Sequence, residues 1–476
     1  MKYNVLSKPD FKKALLKKEI KTVCLNIKVP KHLKDFCKDK KYFIKTHGCQ
    51  ANYRDSEIYK GYFELLGLKE TDILEKADFI LINSCAVRQK AEEKVLSELG
   101  EIKQLKTKDK NKILILAGCM AQEEKNIRTI INSFNFVDLV LGTHDLNNLV
   151  RNLDLIITKN QQIIDVSSSS GCIYEKLPSK RDSKFKAFVN ITYGCDKFCS
   201  YCIVPFLRGR QRSRSIESIL KECKELEKSG YKEITLLGQN VTSYGKDLKD
   251  GKSFANLLDK VASLNIPRIN FLTSHPFDFD YKIIDVIKKH KNIMRYMHLP
   301  IQSGCDSILK LMNRKYTFDE YASIIEETRK KIPDIRFSTD IIVGFPNETK
   351  KQNEESLKNI KKINFDGAFT FIYSPREGTT AAKIKDNVPR KEKTERFKKL
   401  TNILRESFSK SNQKYIGKTL SVLVDSISKT DKNFLSGYSH ENLLINFKGN
   451  KDLIGSIVKV KVISEHIYFL KGEIVI

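Results

Sequence analysis

Three cysteines lie close together in the segment YGCDKFCSYC, at Cys195, Cys199 and Cys202; we call them the compact trio. Thiolates bind soft metals and iron–sulfur clusters, and this spacing keeps all three on one short loop. A tetrahedral zinc site would need a fourth ligand, which His298 or a distant cysteine could supply in principle. A cubane cluster held by three cysteines instead leaves one iron open, as a catalytic metal requires.

A second set of three cysteines is spread over the chain at Cys49, Cys85 and Cys119; we call it the dispersed trio. Each follows a short apolar run typical of a strand, KYFIK, DFILIN or KILILAG, and precedes a helix-like segment. The carboxyl ends of parallel strands lie along one edge of a sheet, so we expect these three thiols to converge. The alternative is packing as small hydrophobic residues, but such cysteines would lie inside strands rather than three times at the same end.

The chain has 11 cysteines, and an odd number without a secretory signal argues against a disulfide framework. The start MKYNVLSKPDFKKALLKK has no signal-peptide pattern, and no apolar run is long enough to span a bilayer. We therefore expect a cytoplasmic protein without a membrane partner. The remaining cysteines show no register with strand ends and receive no role: Cys24, Cys37, Cys172, Cys223 and Cys305.

The formal net charge is +28, from 86 basic and 58 acidic residues in 476. Such an excess favours a polyanionic partner, most simply nucleic acid. A genome rich in A and T would also raise the lysine content everywhere, and the absence of Trp fits that alternative.

The elements that must position the cysteines form three regions. The first alternates strand-like and helix-like segments, which predicts a parallel α/β sheet. The second has six strand-like runs separated by helices, from AFVNITY to GAFTFIY, which suggests a barrel or partial barrel. The third is strand-only and suits a small OB-like barrel. The predicted boundaries are a basic N-terminal extension at 1–40, a sheet domain at 41–157, a linker containing SSSSG at 158–180, the barrel at 181–411 and the β module at 412–476.

The compact trio, placed after the first strand of a βα-repeat domain, resembles the cluster motif of the radical S-adenosylmethionine superfamily. Over about residues 41–476 the chain resembles the methylthiotransferases of that superfamily, whose motifs occur here in the family's order. These motifs are KTHGCQANYRDSE, NSCAVR, AGCMAQ, YGCDKFCSYCIVPFLRGR, GQNVTSYG, HLPIQSGCDSIL, TDIIVGFPNET and IYSPREGTTAA. The last motif and the basic balance resemble the tRNA-modifying branch more than the branch that modifies a ribosomal protein.

The resemblance implies a flavodoxin-like methylthiotransferase domain, a partial (β/α)6 radical domain and a TRAM module that binds RNA. It also implies two [4Fe–4S] clusters, an auxiliary one on the dispersed trio and a radical one on the compact trio. In the family reaction, CH3S is added to carbon 2 of N6-isopentenyladenosine at position 37, in the anticodon loop of tRNA. Of two S-adenosylmethionines consumed, one methylates sulfur and the other yields the radical that removes the adenine hydrogen. An electron donor such as flavodoxin or ferredoxin is implied, and we expect a monomer.

Polar residues at the predicted ends of the barrel strands are candidates for binding S-adenosylmethionine, since barrel sites form there. They are Gly238, Gln239, Asn240, Ser274, Gln302 and Asp340. The segment RGRQRSR adds four arginines, and guanidinium groups bind phosphate or carboxylate through two parallel hydrogen bonds. The arginines Arg208, Arg210, Arg212 and Arg214 are candidates for the tRNA backbone, with the carboxylate of S-adenosylmethionine as the alternative.

Other functions compatible with the motifs are methylthiolation of N6-threonylcarbamoyladenosine in tRNA and of a ribosomal-protein aspartate. A rival from a different class is a non-catalytic iron–sulfur protein that binds RNA as a sensor. Against that rival, each trio lacks the fourth ligand that a purely structural cluster would normally have.

Overall fold

The computed structural model of the protein describes residues 3–86, 89–168, 171–429 and 431–475, so part of the serine run SSSSG lies outside the described residues. The chain divides into two compact units. The first comprises residues 1–182, 192–197 and 202–214, and the second comprises 183–191, 198–201 and 215–476.

Short strands and amphipathic helices alternate along residues 1–182. The strands are β1 (Asn4–Ser7), β2 (Lys21–Cys24), β3 (Lys41–His47), β4 (Lys69–Glu70), β5 (Phe79–Ser84), β6 (Ile113–Gly118), β7 (Leu139–Leu141), β8 (Ile163–Asp165) and β9 (Cys172–Glu175). The helices are α1 (Phe11–Ala14), α2 (Lys31–Cys37), α3 (Gln50–Leu65), α4 (Gln89–Lys108), α5 (Glu124–Ser133) and α6 (Leu149–Lys159).

The alternation continues to residue 413 and is then replaced by strands. The strands are β10 (Lys186–Asn190), β11 (Thr192–Tyr193), β12 (Arg212–Ser213), β13 (Glu233–Leu237), β14 (Arg268–Phe271), β15 (Tyr296–His298), β16 (Arg336–Val343), β17 (Gly367–Ile372), β18 (Thr419–Ile427), β19 (Phe434–Ser439), β20 (Leu444–Lys448), β21 (Ile457–His466) and β22 (Phe469–Ile474). The helices are α7 (Val204–Arg208), α8 (Ile216–Lys228), α9 (Phe254–Ala262), α10 (Lys282–Lys289), α11 (Asp306–Leu311), α12 (Phe318–Lys331), α13 (Lys350–Ile363) and α14 (Arg390–Gln413).

The first unit is built on a parallel sheet with the order β1-β8-β7-β6-β5-β3-β4. Its central part, β4-β3-β5-β6-β7, has the flavodoxin order 2-1-3-4-5, which confirms the predicted fold class. Strands β5 and β6 are buried along their whole length. Continuous apolar runs of this kind are expected where helices cover both faces of a parallel sheet. Tyr59 of α3 and Leu153 of α6 pack on one face, and Leu99 of α4 and Ile127 of α5 pack on the other.

The segments predicted as an extension and a linker contain strands of their own. Strand β1 pairs in parallel with β8 at the edge of the main sheet, and β2 pairs in parallel with β9. The helices of the predicted extension are short and comprise Phe11–Ala14 and Lys31–Cys37. In the predicted linker, Ile163 and Ile164 of β8 are buried within the sheet. The boundaries of the five predicted segments themselves stay a prediction.

The second unit begins with six parallel strands in two three-stranded sheets, β10-β13-β14 and β15-β16-β17. A single parallel bridge from Ile269 of β14 to Ile293 connects the two sheets ahead of β15. All six predicted runs form strands, which confirms the partial barrel. Capping boxes define the starts of α12 and α13: in α12, the side chains of Thr317 and Glu320 exchange hydrogen bonds with each other's backbone N–H.

The C-terminal strands close into a small barrel with the order β18-β19-β20-β22-β21, as predicted. Its interior is apolar and includes Val422, Ile445, Phe447, Val460 and Leu470. Over the described residues, the helices are too short or too polar for any of them to cross a membrane.

Candidate metal centres

The dispersed trio follows three neighbouring strands at one edge of the first unit's sheet. The pairing His47↔Ser84↔Gly118 places the last residues of β3, β5 and β6 at the same level. Cys49 is the N-cap of α3, Cys85 follows β5 directly, and Cys119 begins a 3-10 turn after β6. The structure therefore brings the three cysteines to one edge, as the strand pattern predicts. Their role as metal ligands stays a prediction.

The thiol of Cys49 lies against that of Cys85. A hydrogen bond from Cys85 is the largest cause that lowers the pKa of Cys49, to about 5, and the positive charge of Arg208 adds to it. The environment of Cys49 thus favours a thiolate, which is the form that binds metals. Cys119, by contrast, is buried, and burial raises the pKa of its thiol.

One arginine joins the dispersed trio to a carboxylate. Arg208, at the end of α7, donates from Nε to the sulfur of Cys119 at 3.2 Å and from Nη2 to Asp55 at 2.7 Å. The side chains of Arg208 and Asp55 are only 11% and 8% exposed, so this ion pair is largely shielded from water. Asp55 lies on α3, the helix that Cys49 caps, and it balances the arginine charge beside Cys119.

Two glycines directly precede candidate ligands and have left-handed backbone angles. Gly118 has φ of 92°, and Gly194 has φ of 67°. A Cβ on Gly118 would overlap the side-chain oxygen of Asn83, and one on Gly194 would overlap the carbonyl oxygen of Arg210. L side chains rarely adopt this backbone, and here the space is also filled, so both turns require glycine.

The compact trio lies on the loop that runs from β11 to α7. In the first unit, the N–H of Cys195 donates to the carbonyl oxygen of Gly209 at 3.1 Å. In the second unit, the sulfur of Cys199 accepts from Nη1 of Arg314 at 3.3 Å and lies 3.9 Å from Nε2 of His275. Since Nδ1 of His275 accepts from the N–H of Phe277, the hydrogen-bond pattern assigns the ring proton to Nε2.

The segment around Arg314 holds the Cys199 part of this loop through further hydrogen bonds. Asn313 donates from its amide to the carbonyl oxygen of Phe198 at 2.9 Å. Ser200 donates from its N–H to the carbonyl oxygen of Met312 at 3.0 Å and from its hydroxyl to that of Leu311 at 2.8 Å. Phe198 itself has φ of 49°, a strained value that these contacts maintain.

The residues predicted to bind S-adenosylmethionine differ in whether their side chains already have hydrogen-bond partners within the protein. Both ends of the Asn240 amide already have a partner, since its nitrogen donates to Asp278 at 2.6 Å and its oxygen accepts from Thr242 at 2.7 Å. The hydroxyl of Ser274 is buried and has no hydrogen-bond partner among the described residues. Gly238 and Gln239 are half-buried and follow β13.

Two further candidates lie on the second sheet of the barrel. Gln302 follows β15 and has φ of 73°, while its N–H donates to the carbonyl oxygen of Asp340 at 2.8 Å. Asp340 lies inside β16 rather than at its end, with its carboxylate 3.5 Å from Nε2 of His298. Residues outside the usual backbone regions collect at functional sites, which supports the choice of Gln302. The assignment of these residues to S-adenosylmethionine stays a prediction.

The four arginines of RGRQRSR have separate protein partners. Arg208 contacts Cys119 and Asp55 as described above. Arg210 pairs with Asp196 at 2.7 Å, and Arg214 donates to Glu175 at 3.2 Å. Arg212 donates to the carbonyl oxygen of Arg210 at 2.9 Å. These contacts do not test whether the arginines also bind tRNA, and that assignment stays a prediction.

Sequence reasoning missed Asp55 and Arg314. Asp55 lies in the motif KTHGCQANYRDSE, but it is six residues after Cys49, nearly two helical turns, and this spacing gives no local sign of its contact with Arg208. Arg314 is far along the chain from Cys199, and the segment MNRKYT carries no signal of chemistry.

The site's residues fit an iron–sulfur group by the chemistry of their donors. The first unit presents Cys119 beside buried Arg208, and the second presents Cys199 beside buried Arg314, settings that suit thiolates and an anionic cluster. Among the described residues, no three histidine, cysteine or carboxylate side chains are poised to hold a single metal ion. The fit to a cluster therefore rests on the thiols and the charges around them.

Three known families match the chain in order. They are described as Uncharacterized protein family UPF0004 at residues 41–142, Radical SAM superfamily at 189–360 and TRAM domain at 413–475.

Curated relatives match along almost the whole chain. A "tRNA-2-methylthio-N(6)-dimethylallyladenosine synthase" of Geobacillus kaustophilus is 45% identical over 475 residues, covering 99% of this chain and 89% of the relative. A protein of the same name from Bacillus subtilis is 45% identical and covers 96% and 90%. Among solved structures, the radical S-adenosylmethionine methyltransferase TsrM of Kitasatospora setae, with cobalamin and a [4Fe-4S] cluster bound, has a TM-score of 0.51. It is 12% identical over 72% of this chain and 77% of its own, which shows a shared fold alone.

Proposed function

Since the chain belongs to the family of the tRNA-2-methylthio-N(6)-dimethylallyladenosine synthases, we propose that it adds a methylthio group to N6-isopentenyladenosine in tRNA. The acceptor is carbon 2 of the adenosine at position 37, and the enzyme is a transferase of the radical S-adenosylmethionine type. The observation that carries this proposal is the 45% identity to a curated relative along 99% of the chain.

The geometry supports the proposal at the dispersed trio. Three cysteines separated by more than thirty residues each are brought to one sheet edge by strands in register. Packing alone gives no reason for a thiol at three successive strand ends, and Arg208 beside Cys119 adds a charge suited to thiolates.

We propose that the chain holds two [4Fe–4S] clusters, one on each trio, together with S-adenosylmethionine. When bound, these cofactors supply the electron transfer, sulfur and radical chemistry that amino-acid side chains cannot. The residues of the chain bind the cofactors and the substrate, orient them and exclude water. In the first unit, Cys119 lies in an apolar cluster with Ile203 and Leu207, against which Phe11 and Phe206 pack.

We further propose that Ser274 and Gln302 contribute to binding S-adenosylmethionine, alongside the other candidates at the barrel strand ends. The unpartnered hydroxyl of Ser274 can bond a carboxylate, an amine or a ribose. Gln302 adds both a donor and an acceptor at the next sheet.

The proposed macromolecular partner is tRNA, engaged through its anticodon loop. The net charge of +28 and the C-terminal barrel, which matches the TRAM domain, support this choice. A flavodoxin or ferredoxin is the proposed electron donor. We propose that the enzyme acts as a monomer in the cytoplasm, where its tRNA substrate is found.

Mass spectrometry of tRNA nucleosides from a strain lacking the gene tests the proposal. We expect 2-methylthio-N6-isopentenyladenosine to disappear, to return with the intact gene and to stay absent with a gene lacking the compact trio. Unchanged levels of this nucleoside would contradict the proposal. Loss of the methylthio group from N6-threonylcarbamoyladenosine, or from a ribosomal-protein aspartate, would identify one of the sister activities instead.

A second assay separates the enzyme from a non-catalytic sensor. The reconstituted protein with dithionite and S-adenosylmethionine should release 5′-deoxyadenosine under anaerobic conditions. A protein that binds iron but releases none would be a sensor of the kind described above.

A further inference from the structure

Arg314 is buried in the second unit with only 4% of its surface exposed. Its guanidinium group donates four hydrogen bonds to electron-rich atoms. The acceptors are the Cys199 sulfur at 3.3 Å, the Tyr316 hydroxyl at 2.9 Å, the Tyr201 hydroxyl at 3.5 Å and the carbonyl oxygen of Pro300 at 2.8 Å. The fork is thus held rigidly, with one arm directed at the thiol of Cys199.

No carboxylate among the described residues forms an ion pair with Arg314. Burying a guanidinium charge without an anion is unfavourable, because neutral acceptors replace only part of its hydration. A guanidinium group buried in this way is suited to a site at which a bound group supplies the missing negative charge. A cubane core held by three thiolates is a net anion, and reduction adds one more negative charge to it.

We propose that Arg314 is a positioning residue of the cluster on the compact trio, which makes that cluster easier to reduce. This inference rests on the proposed function, because it assumes a cluster on Cys199 and its neighbours. The hydrogen bond to sulfur and the positive charge stabilise the reduced, more negative state more than the oxidised one. The electron itself comes from an external flavin or iron–sulfur protein, or from dithionite in the assay.

The neighbours of Arg314 in sequence explain why the charge can act at a fixed distance. Asn313, Met312 and Leu311 bond the backbone and side chain of Phe198 and Ser200 on either side of Cys199. The segment 311–314 therefore holds this part of the loop in place and also positions the charge of Arg314 beside it. His275, 3.9 Å from the same sulfur, is a second and weaker donor.

The test is an anaerobic redox titration of the full-length, reconstituted chain, followed by EPR without S-adenosylmethionine or tRNA. The C49A/C85A/C119A background leaves the compact trio as the cluster site under study. We expect Arg314→Gln to shift the midpoint potential to a more negative value, by at least a tenfold change in the reduction equilibrium, or 59 mV for one electron. Arg314→Lys, which keeps the charge but not the fork, should shift it less. Arg405→Gln, on the exposed face of α14, should leave it unchanged.

A midpoint potential does not depend on how much of the protein holds a cluster, so partial loading of a variant leaves the test intact. An unchanged potential in Arg314→Gln would overturn the inference. Complete loss of the cluster in both Arg314 variants would overturn the inference too, since Arg314 would then be needed to shape the loop and not to set the potential of the cluster. A parent chain that binds no iron would contradict the proposed function instead, so the two failures are distinguishable.

Discussion

In each cysteine trio an arginine donates a hydrogen bond to one of the sulfurs, but these two arginines differ in their counter-charge. In the first unit, Arg208 donates to Cys119 at 3.2 Å and is paired with Asp55 at 2.7 Å. In the second unit, Arg314 donates to Cys199 at 3.3 Å, and its other acceptors are hydroxyl and carbonyl oxygens.

This difference separates two uses of the same side chain. Asp55 offsets part of the Arg208 charge, so the pair orients a donor towards sulfur while adding less net positive charge than an arginine without a carboxylate partner. Arg314 adds both a donor and an unbalanced charge. At the dispersed trio a carboxylate therefore offsets part of the arginine charge, whereas at the Cys199 part of the compact trio no carboxylate among the described residues does so, which favours a more negative group there. That contrast suits two clusters with different tasks, one of which must accept an electron.

The largest expected effect is on iron content. With a cluster on each trio, the reconstituted chain should hold roughly eight irons. Replacing the dispersed trio by alanine should remove about half of them, and replacing the compact trio should remove the other half. Iron analysis of the purified proteins measures this directly, with Cys223→Ala, a buried cysteine of the barrel core, as the control that keeps all its iron.

The two triple variants also test whether the sites are independent. A dispersed-trio variant that retains all its iron would show that this trio holds no cluster, and the comparison of two cluster sites would then have no basis. Both variants should lose tRNA methylthiolation, but the dispersed-trio variant should still release 5′-deoxyadenosine, because only the compact trio is needed for that step.

A smaller effect is expected from Asp55→Asn, which leaves Arg208 without its counter-charge. The iron-free protein should lose about 3 kcal/mol of unfolding free energy, since breaking a buried ion pair leaves a charge uncompensated. Urea titration measures this loss. Glu124→Gln is the matched control: it breaks an ion pair with Arg128 whose side chains are 59% and 72% exposed. We expect the control to change stability by less than about 0.5 kcal/mol.

Asp55→Asn should also make the first unit electrostatically more like the second. With Arg208 unbalanced, the auxiliary cluster should become easier to reduce, a shift opposite in sign to that of Arg314→Gln. Equal potentials in the parent and Asp55→Asn would show that the ion pair has no bearing on the cluster.

The convergence of the dispersed trio could be predicted from the sequence, and the arginine contacts could not. Strand ends in a parallel sheet share an edge whatever the side chains, so the cysteine positions followed from the alternation of strands and helices. The partners of Arg208 and Arg314 depend instead on tertiary contacts, since Arg208 and Asp55 are 153 positions apart in the sequence and Arg314 and Cys199 are 115 positions apart. A guanidinium group in a basic chain gives no local sign of which acceptor it will meet.

Dependence on tertiary contacts also explains why the strands at the edge of the main sheet could not be predicted from the sequence. The six barrel strands were predictable because each is an apolar run separated from the next by at least one helix. Strands β1 and β8 are short, at Asn4–Ser7 and Ile163–Asp165, and lie next to lysine-rich or serine-rich segments that predict irregular structure. Strand β8 pairs with β7 and β1 pairs with β8, so each strand is placed by the backbone edge of a neighbouring strand, which no local pattern describes.

The smallest expected effect comes from the two glycines that precede Cys119 and Cys195. Gly118→Ala and Gly194→Ala each add a methyl group to a left-handed turn with no space for it, which should cost about 1–3 kcal/mol of unfolding free energy. The resulting shift of the turn should lower iron binding at the dispersed trio for Gly118→Ala and at the compact trio for Gly194→Ala. Urea titration and iron analysis measure the two effects.

Gly100→Ala, in α4 with open space around it, should instead stabilise the protein by about 0.5–1 kcal/mol. If Gly118→Ala and Gly194→Ala lowered iron at the same trio, the turns would not act separately on the two sites, and the contrast between the two units would be weakened.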